Sequence, residues 1–166
     1  MSDKLDKPDR ALLQQWLQEA RVEYSECDEC EGLHLAALKS IEGVIDSRIF
    51  LERYGVLLTT ELEIRPMALL PMAADLGRIN MDYPILKIFL DVVDDATPQL
   101  VIAGVLQTQA GLTLGQTAQF ISSCMDATRQ LAAECLQLDY LFAEGDGDRE
   151  EKGQGKNRSA SKRSLH

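Results

Sequence analysis

From Ile45 to Ile64 the chain keeps a two-residue rhythm, broken once by a turn. Ile45, Ser47, Ile49 and Leu51 fall on one side, with Asp46, Arg48 and Glu52 on the other. After Tyr54-Gly55, Leu58, Thr60, Leu62 and Ile64 alternate with Thr59, Glu61, Glu63 and Arg65. Successive side chains of a strand point to opposite faces, so the pattern predicts an antiparallel hairpin with one apolar face. The middle of the chain is thereby committed to a sheet packed on one side only.

The flanking segments supply helices and further strands. Leu13, Trp16, Leu17 and Ala20 recur at helical spacing, which predicts a helix from about Pro8 to Val22 with Pro8 in its first turn. Tyr24 to Glu26 and Leu33 to Leu35 are short and strand-like, separated by a cysteine-bearing segment. Pro66 ends the second strand of the hairpin, and Met67 to Ile79 reads as a helix in which Pro71 fits only near the start. Ile85 to Val93 and Leu100 to Leu106 are two more strands, joined by the turn residues Asp94-Asp95-Ala96-Thr97-Pro98. This second hairpin is apolar on both faces, so a cover is expected on each, from the fold or from another subunit.

Thr113-Leu114-Gly115-Gln116 has the form of a capping box. The stripe Leu114, Ala118, Ile121, Met125, Thr128, Ala132, Cys135 and Leu138 then predicts a long helix reaching about Phe142. At about 1.5 Å per residue it measures roughly 40 Å, against about 17–20 Å for a typical strand. Its end should overhang, leaving Leu136, Leu138, Leu141 and Phe142 to be covered most simply by a second protomer. The expected fold class is α+β: an antiparallel sheet of about five strands flanked by N-terminal, middle and long C-terminal helices. The expected organisation is a flexible lead (residues 1–7), one α/β domain (8–143) and a disordered charged tail (144–166).

Composition narrows the classes of function. The 166 residues carry a formal net charge of −10, and residues 1–143 hold 22 acidic side chains against 11 basic ones. Such a field repels nucleic acid and anionic membranes, and Lys152, Lys156, Arg158, Lys162 and Arg163 read as a solvated tail. The charged start has no apolar core of a signal peptide, and no apolar run approaches the ~18 residues that span a bilayer. Four dispersed cysteines make no disulfide framework, so a cytoplasmic protein with reduced thiols is expected.

Cys27 and Cys30 form the one pattern with a chemical reading. Zinc wants four ligands, and only His34 is near the pair in sequence, on a strand expected to point its ring elsewhere. Two pairs meeting across a dimer axis would complete a tetrahedral site. Glu26, Asp28, Glu29 and Glu31 surround the pair, and their field is expected to disfavour the thiolate that redox catalysis needs. A Ser-His-Asp or Cys-His arrangement would require His34 as its base, and a histidine between leucines more often serves structure. No nucleotide loop is visible, Asp91, Asp94 and Asp95 lack an EF-hand layout, and Cys124 and Cys135 lie on the apolar stripe of the last helix. No catalytic, cofactor or metal residue is assigned on this reading, and the cysteine pair is a turn between strands.

Several short motifs together carry a resemblance. Glu26-Cys27-Asp28-x-Cys30-x-x-Leu33-His34-Leu35, Glu63-x-Arg65-Pro66, Leu70-Pro71-x-Ala73-Ala74-Asp75-Leu76, Ile79-Asn80 and Phe89-Leu90-Asp91-x-x-Asp94-Asp95 resemble the bacterial YbjN family from about Leu13 to Leu141. The resemblance implies a fold like that of class I type III secretion chaperones, usually dimeric, and a role in sensory transduction with no assigned reaction. The expected function is therefore a non-enzymatic, homodimeric protein-binding module with a regulatory or chaperone-like role and an unidentified protein partner. The alternative is a zinc-binding or thiol-based sensor using Cys27 and Cys30.

Overall fold

In the computed structural model, which describes residues 4–93 and 97–142, Leu33, Leu35, Ile49, Val56, Leu58, Leu62, Leu100 and Ile102 meet in one core. They lie on the inner face of a six-stranded sheet: β1 (Tyr24–Ser25), β2 (Leu33–Leu35), β3 (Val44–Leu51), β4 (Gly55–Glu63), β5 (Lys87–Asp91) and β6 (Gln99–Gln107). The spatial order is β1-β2-β3-β4-β6-β5, and every neighbouring pair is antiparallel. The sheet thus has six strands against the approximate five read from the sequence. Helices α1 (Arg10–Glu19), α3 (Leu69–Asp82) and α4 (Leu114–Gln137) supply most of the rest of the core, while α2 (Ala36–Lys39), a single turn, adds Leu38. No helix among the described residues is long and apolar enough to cross a membrane.

The period-two pattern holds from Ser47 onward, while Ile45, at a bulge between Val44 and Asp46, is 38 % exposed. Ser47 and Thr60 fall among the inward-facing apolar residues and are fully buried. They remain tolerable there because their hydroxyls bond each other at 2.9 Å and Ser47 also donates to the Thr59 carbonyl. The capping box closes as expected: the Gln116 N–H donates to Thr113 Oγ1, and the Thr113 N–H donates to Gln116 Oε1. Pro71 is the third residue of α3, in the first turn, where no intrahelical N–H is required. Pro8 lies just outside α1, whose cap is Asp9. Ahead of it Asp6 exchanges two main-chain hydrogen bonds with Leu112, so the lead expected to be flexible through residue 7 is tied down at Asp6.

The end of α4 departs from expectation. Asp139 adopts a left-handed conformation (φ 64°), its N–H donates to the Leu136 carbonyl, and the Tyr140 N–H donates to the Cys135 carbonyl. This is a Schellman stop, and it ends the helix short of Phe142. The chain then folds back, with Leu141 bridging Ile64 and buried to 1 % exposure. Leu141 therefore needs no second protomer, while Leu138 stays 43 % exposed. The turn residues Asp94 to Ala96 and the tail expected to be disordered lie outside the described residues.

Among the described residues, the second hairpin is covered on one face alone. Ile88, Leu100 and Ile102 are buried against the helices, whereas Phe89 and Val105 on the opposite face are 39 % and 48 % exposed. The edge strand β5 is held by Asn80 of α3. The Asn80 amide accepts from the Ile88 N–H at 3.0 Å and donates to the Ile88 carbonyl at 3.0 Å, as a neighbouring strand would. It also donates to the Leu76 carbonyl. Asn80→Ala is expected to destabilise the protein by about 2 kcal/mol, since it strips partners from half-buried main-chain groups. Hydrogen exchange at Ile88 checks it: fast exchange in the variant and slow exchange in the parent is the expected pair.

Candidate metal and thiol site

Register decides which side chains share the outer face of the sheet. His34 lies between two buried leucines on β2, so its own side chain points outward. It pairs with Arg48 of β3, which pairs with Thr59 of β4. Asp46 lies two residues before Arg48 on the same outward face and is paired with Glu61. The loop from Glu26 to Gly32, between β1 and β2, brings Cys27 and Cys30 over this row.

The result corrects the expected orientation of His34. Its Nε2 lies 3.3 Å from Cys27 Sγ and 3.4 Å from Cys30 Sγ, and the two sulfurs are 3.3 Å apart as free thiols. Its Nδ1 sits 3.0 Å from each carboxylate oxygen of Asp46, which also accepts from the Ser47 N–H. One imidazole therefore links two sulfurs on one side to a fixed carboxylate on the other. With Nδ1 donating to Asp46, the Nε2 lone pair faces the sulfurs.

The electrostatics also differ from expectation. Glu26 is turned away from the thiols, accepting from Arg10 and Gln14 of α1. Arg48 is the charged group on the thiol side. It pairs with Glu61 at 2.6 Å, lies near Asp46 and stacks over the Phe50 ring. The Cys30 thiol is held below its ordinary range, by the hydrogen bond with Cys27 first, then by the Gly32 N–H and Arg48. The acidic sequence neighbours thus do not set the field at Cys30. Cys124 and Cys135 are the reverse case: burial pushes them up to about 11 and about 12, which leaves both as inert core thiols.

His34 titrates above its ordinary value, through its bond to Asp46 first and then its contact with Cys27. Burial pushes Asp46 up, but bonds from His34 and the Ser47 N–H outweigh this and hold it below the usual range. The linkage has a definite sign. A raised histidine contributes stability that is complete below about pH 6.5 and is lost as pH rises through the folded-state value. In metal-free, reduced protein the stability gap between parent and His34→Gln should therefore shrink from pH 6 to pH 9. Urea titrations at both values check it, and a gap that widens with pH would contradict the assignment.

Chemically, the cluster offers two soft sulfur donors and one imidazole whose second nitrogen is braced by a carboxylate. It also contains a Cys30–His34–Asp46 sequence of contacts, the layout that activates a thiol nucleophile. The second sulfur, as close to Nε2 as the first, is what a metal site requires and a nucleophile does not. Sequence reasoning named Cys27, Cys30 and His34 but missed Asp46, Arg48 and Glu61. Their signal was the shared polar face of alternating strands, which needs the β2–β3 register to become a site.

Comparison with known proteins agrees with the motifs. Residues 9–137 match the YbjN family model, described as "Putative bacterial sensory transduction regulator". YbjN of Escherichia coli strain K12 is 40 % identical over 114 residues, which cover 69 % of this chain and 72 % of that protein. The Shigella flexneri relative gives the same figures. Among solved structures, one described as "Crystal structure of YbjN, a putative transcription regulator from E. coli" superposes with a TM-score of 0.81 at 34 % identity. The match covers 84 % of this chain and 99 % of that one.

Proposed function

The chain belongs to the YbjN family, and from that premise we propose that it is a regulatory protein, not an enzyme, that presents the open face of its sheet to another polypeptide. The observation that carries this reading is the outer face beyond the 26–32 loop, where Phe89 and Val105 are exposed. Phe50, Leu57 and Val105 form a continuous apolar row across β3, β4 and β6, and Val101 with Phe89 extends it on β6 and β5. Arg48, Glu61 and Lys87 border the patch, giving an apolar centre with charges that fix register. The family and its solved E. coli relative are both described as regulators, which supports the general role.

In this reading the protein is a cytoplasmic homodimer. Leu70, Ala74, Gly77 and Met81 recur at helical spacing on α3 and are all exposed, with Leu70 and Met81 at 80 %. That stripe suits a helix of a second copy, and it leaves the sheet face free for the partner. Chaperone-like action would use the same face.

A photo-crosslinking residue placed at Val105 in the native host tests the proposal, with one at Glu19, exposed on α1, as the control. A discrete adduct with another polypeptide from Val105 and none from Glu19 is the expected result. Equal or absent crosslinking at the two positions would rule out the sheet face as the docking surface. Light scattering should give twice the mass of one chain, and a monomer for Met81→Asp.

A further inference from the structure

We propose that Cys27, Cys30 and His34 form a binding site for a single zinc ion, with Asp46 orienting the imidazole and the fourth coordination position open. The three candidate donor atoms lie within 4.8 Å of one another. In a tetrahedral zinc site, bonds of about 2.3 Å to sulfur and about 2.0 Å to nitrogen set the donors roughly 3.5–3.8 Å apart. The observed separations of 3.3, 3.3 and 3.4 Å therefore need only a few tenths of an ångström of outward movement to admit the ion.

Three features favour a metal over an idle cluster. Nε2 faces both sulfurs, while Nδ1 is braced by Asp46, the carboxylate–histidine arrangement that fixes a ligand ring and raises its basicity. Two sulfurs with one nitrogen suit zinc better than magnesium or calcium, which take oxygen. The donors also come from two elements: Cys27 and Cys30 from the loop after β1, His34 from β2. An ion would staple that loop to the sheet beside its edge strand. Cys27 is exposed, so the fourth position opens to water or to a donor from another molecule. A site of this kind changes the sheet edge with metal supply, which gives a regulator something to sense. The zinc site rests on the donor geometry and is independent of the sheet-face reading.

Cobalt(II) titration of the reduced, metal-free full chain under argon tests it, with zinc competition afterwards. The expected result is one ion per chain, the intense visible bands of a tetrahedral site with sulfur-to-cobalt charge transfer, and displacement by equimolar zinc. Cys27→Ser and His34→Ala should each weaken binding by at least about 100-fold, and Asp46→Asn by about 10- to 100-fold. Zinc should raise the melting temperature of the parent and not that of Cys27→Ser, whose exposed position keeps the apo fold intact. The proposal fails if no cobalt binds, if His34→Ala binds as tightly as the parent, or if one ion is held per two chains by four sulfurs.

Discussion

Gly55→Ala should cost about 3 kcal/mol or more, among the largest losses of any single methyl addition in this chain. Gly55 begins β4, opposite Gln107 of β6. A Cβ built there lies 2.1 Å from the carbonyl oxygen of Leu106 and 2.8 Å from its carbonyl carbon. Those are main-chain atoms of a paired strand, so relief requires the β4–β6 ladder to open. Gly115→Ala is the control, because its Cβ would meet only Thr113 Oγ1, at 3.8 Å. That change is expected to stabilise by about 0.5–1 kcal/mol, as alanine replaces glycine within a helix. Urea melts with unchanged slopes would establish both, and equal midpoints for the two variants would refute the close approach.

Leu141→Ala should cost about 3 kcal/mol, and by the same amount at every protein concentration. Leu141 is buried within its own chain and packs over Gly43, where an added Cβ would lie 3.0 Å from Leu141 Cδ1. Its position follows from the Schellman stop at Asp139, whose carboxylate pairs with Arg65 at 2.6 Å. Were a second protomer its cover, the loss would shrink on dilution, as the parent too gave up that cover. Unfolding at two concentrations a hundredfold apart decides between these readings.

These two sites mark where the sequence was legible and where it was not. Alternation from Ile45 to Ile64 specified β3 and β4 because one buried face imposes a strict period. The end of α4 was hidden because the left-handed stop falls on Asp139, and only glycine there would have signalled it clearly. The one-turn α2 was missed because four residues are too few to show a helical period. At the site, Cys27 and Cys30 were visible as a spacing, but their field was misjudged. Glu26 points to α1, while Arg48, eighteen residues beyond Cys30, faces the thiols through a strand register that is not local. The motifs that carried the family resemblance divide the same way. Ile79-Asn80 serves the fold by bracketing β5, and Asp75 binds Arg78 and the Tyr140 hydroxyl, whereas Cys27, Cys30 and His34 meet over the open face.

In the proposed site those three residues hold the zinc ion through two sulfurs and one imidazole nitrogen. X-ray absorption at the zinc edge of the full chain loaded with one equivalent tests it most directly. The expected spectrum has two sulfur scatterers at about 2.3 Å and an imidazole nitrogen at about 2.0 Å, the remaining position being filled by a light atom. Four sulfurs, or a shell of oxygen and nitrogen alone, would contradict it.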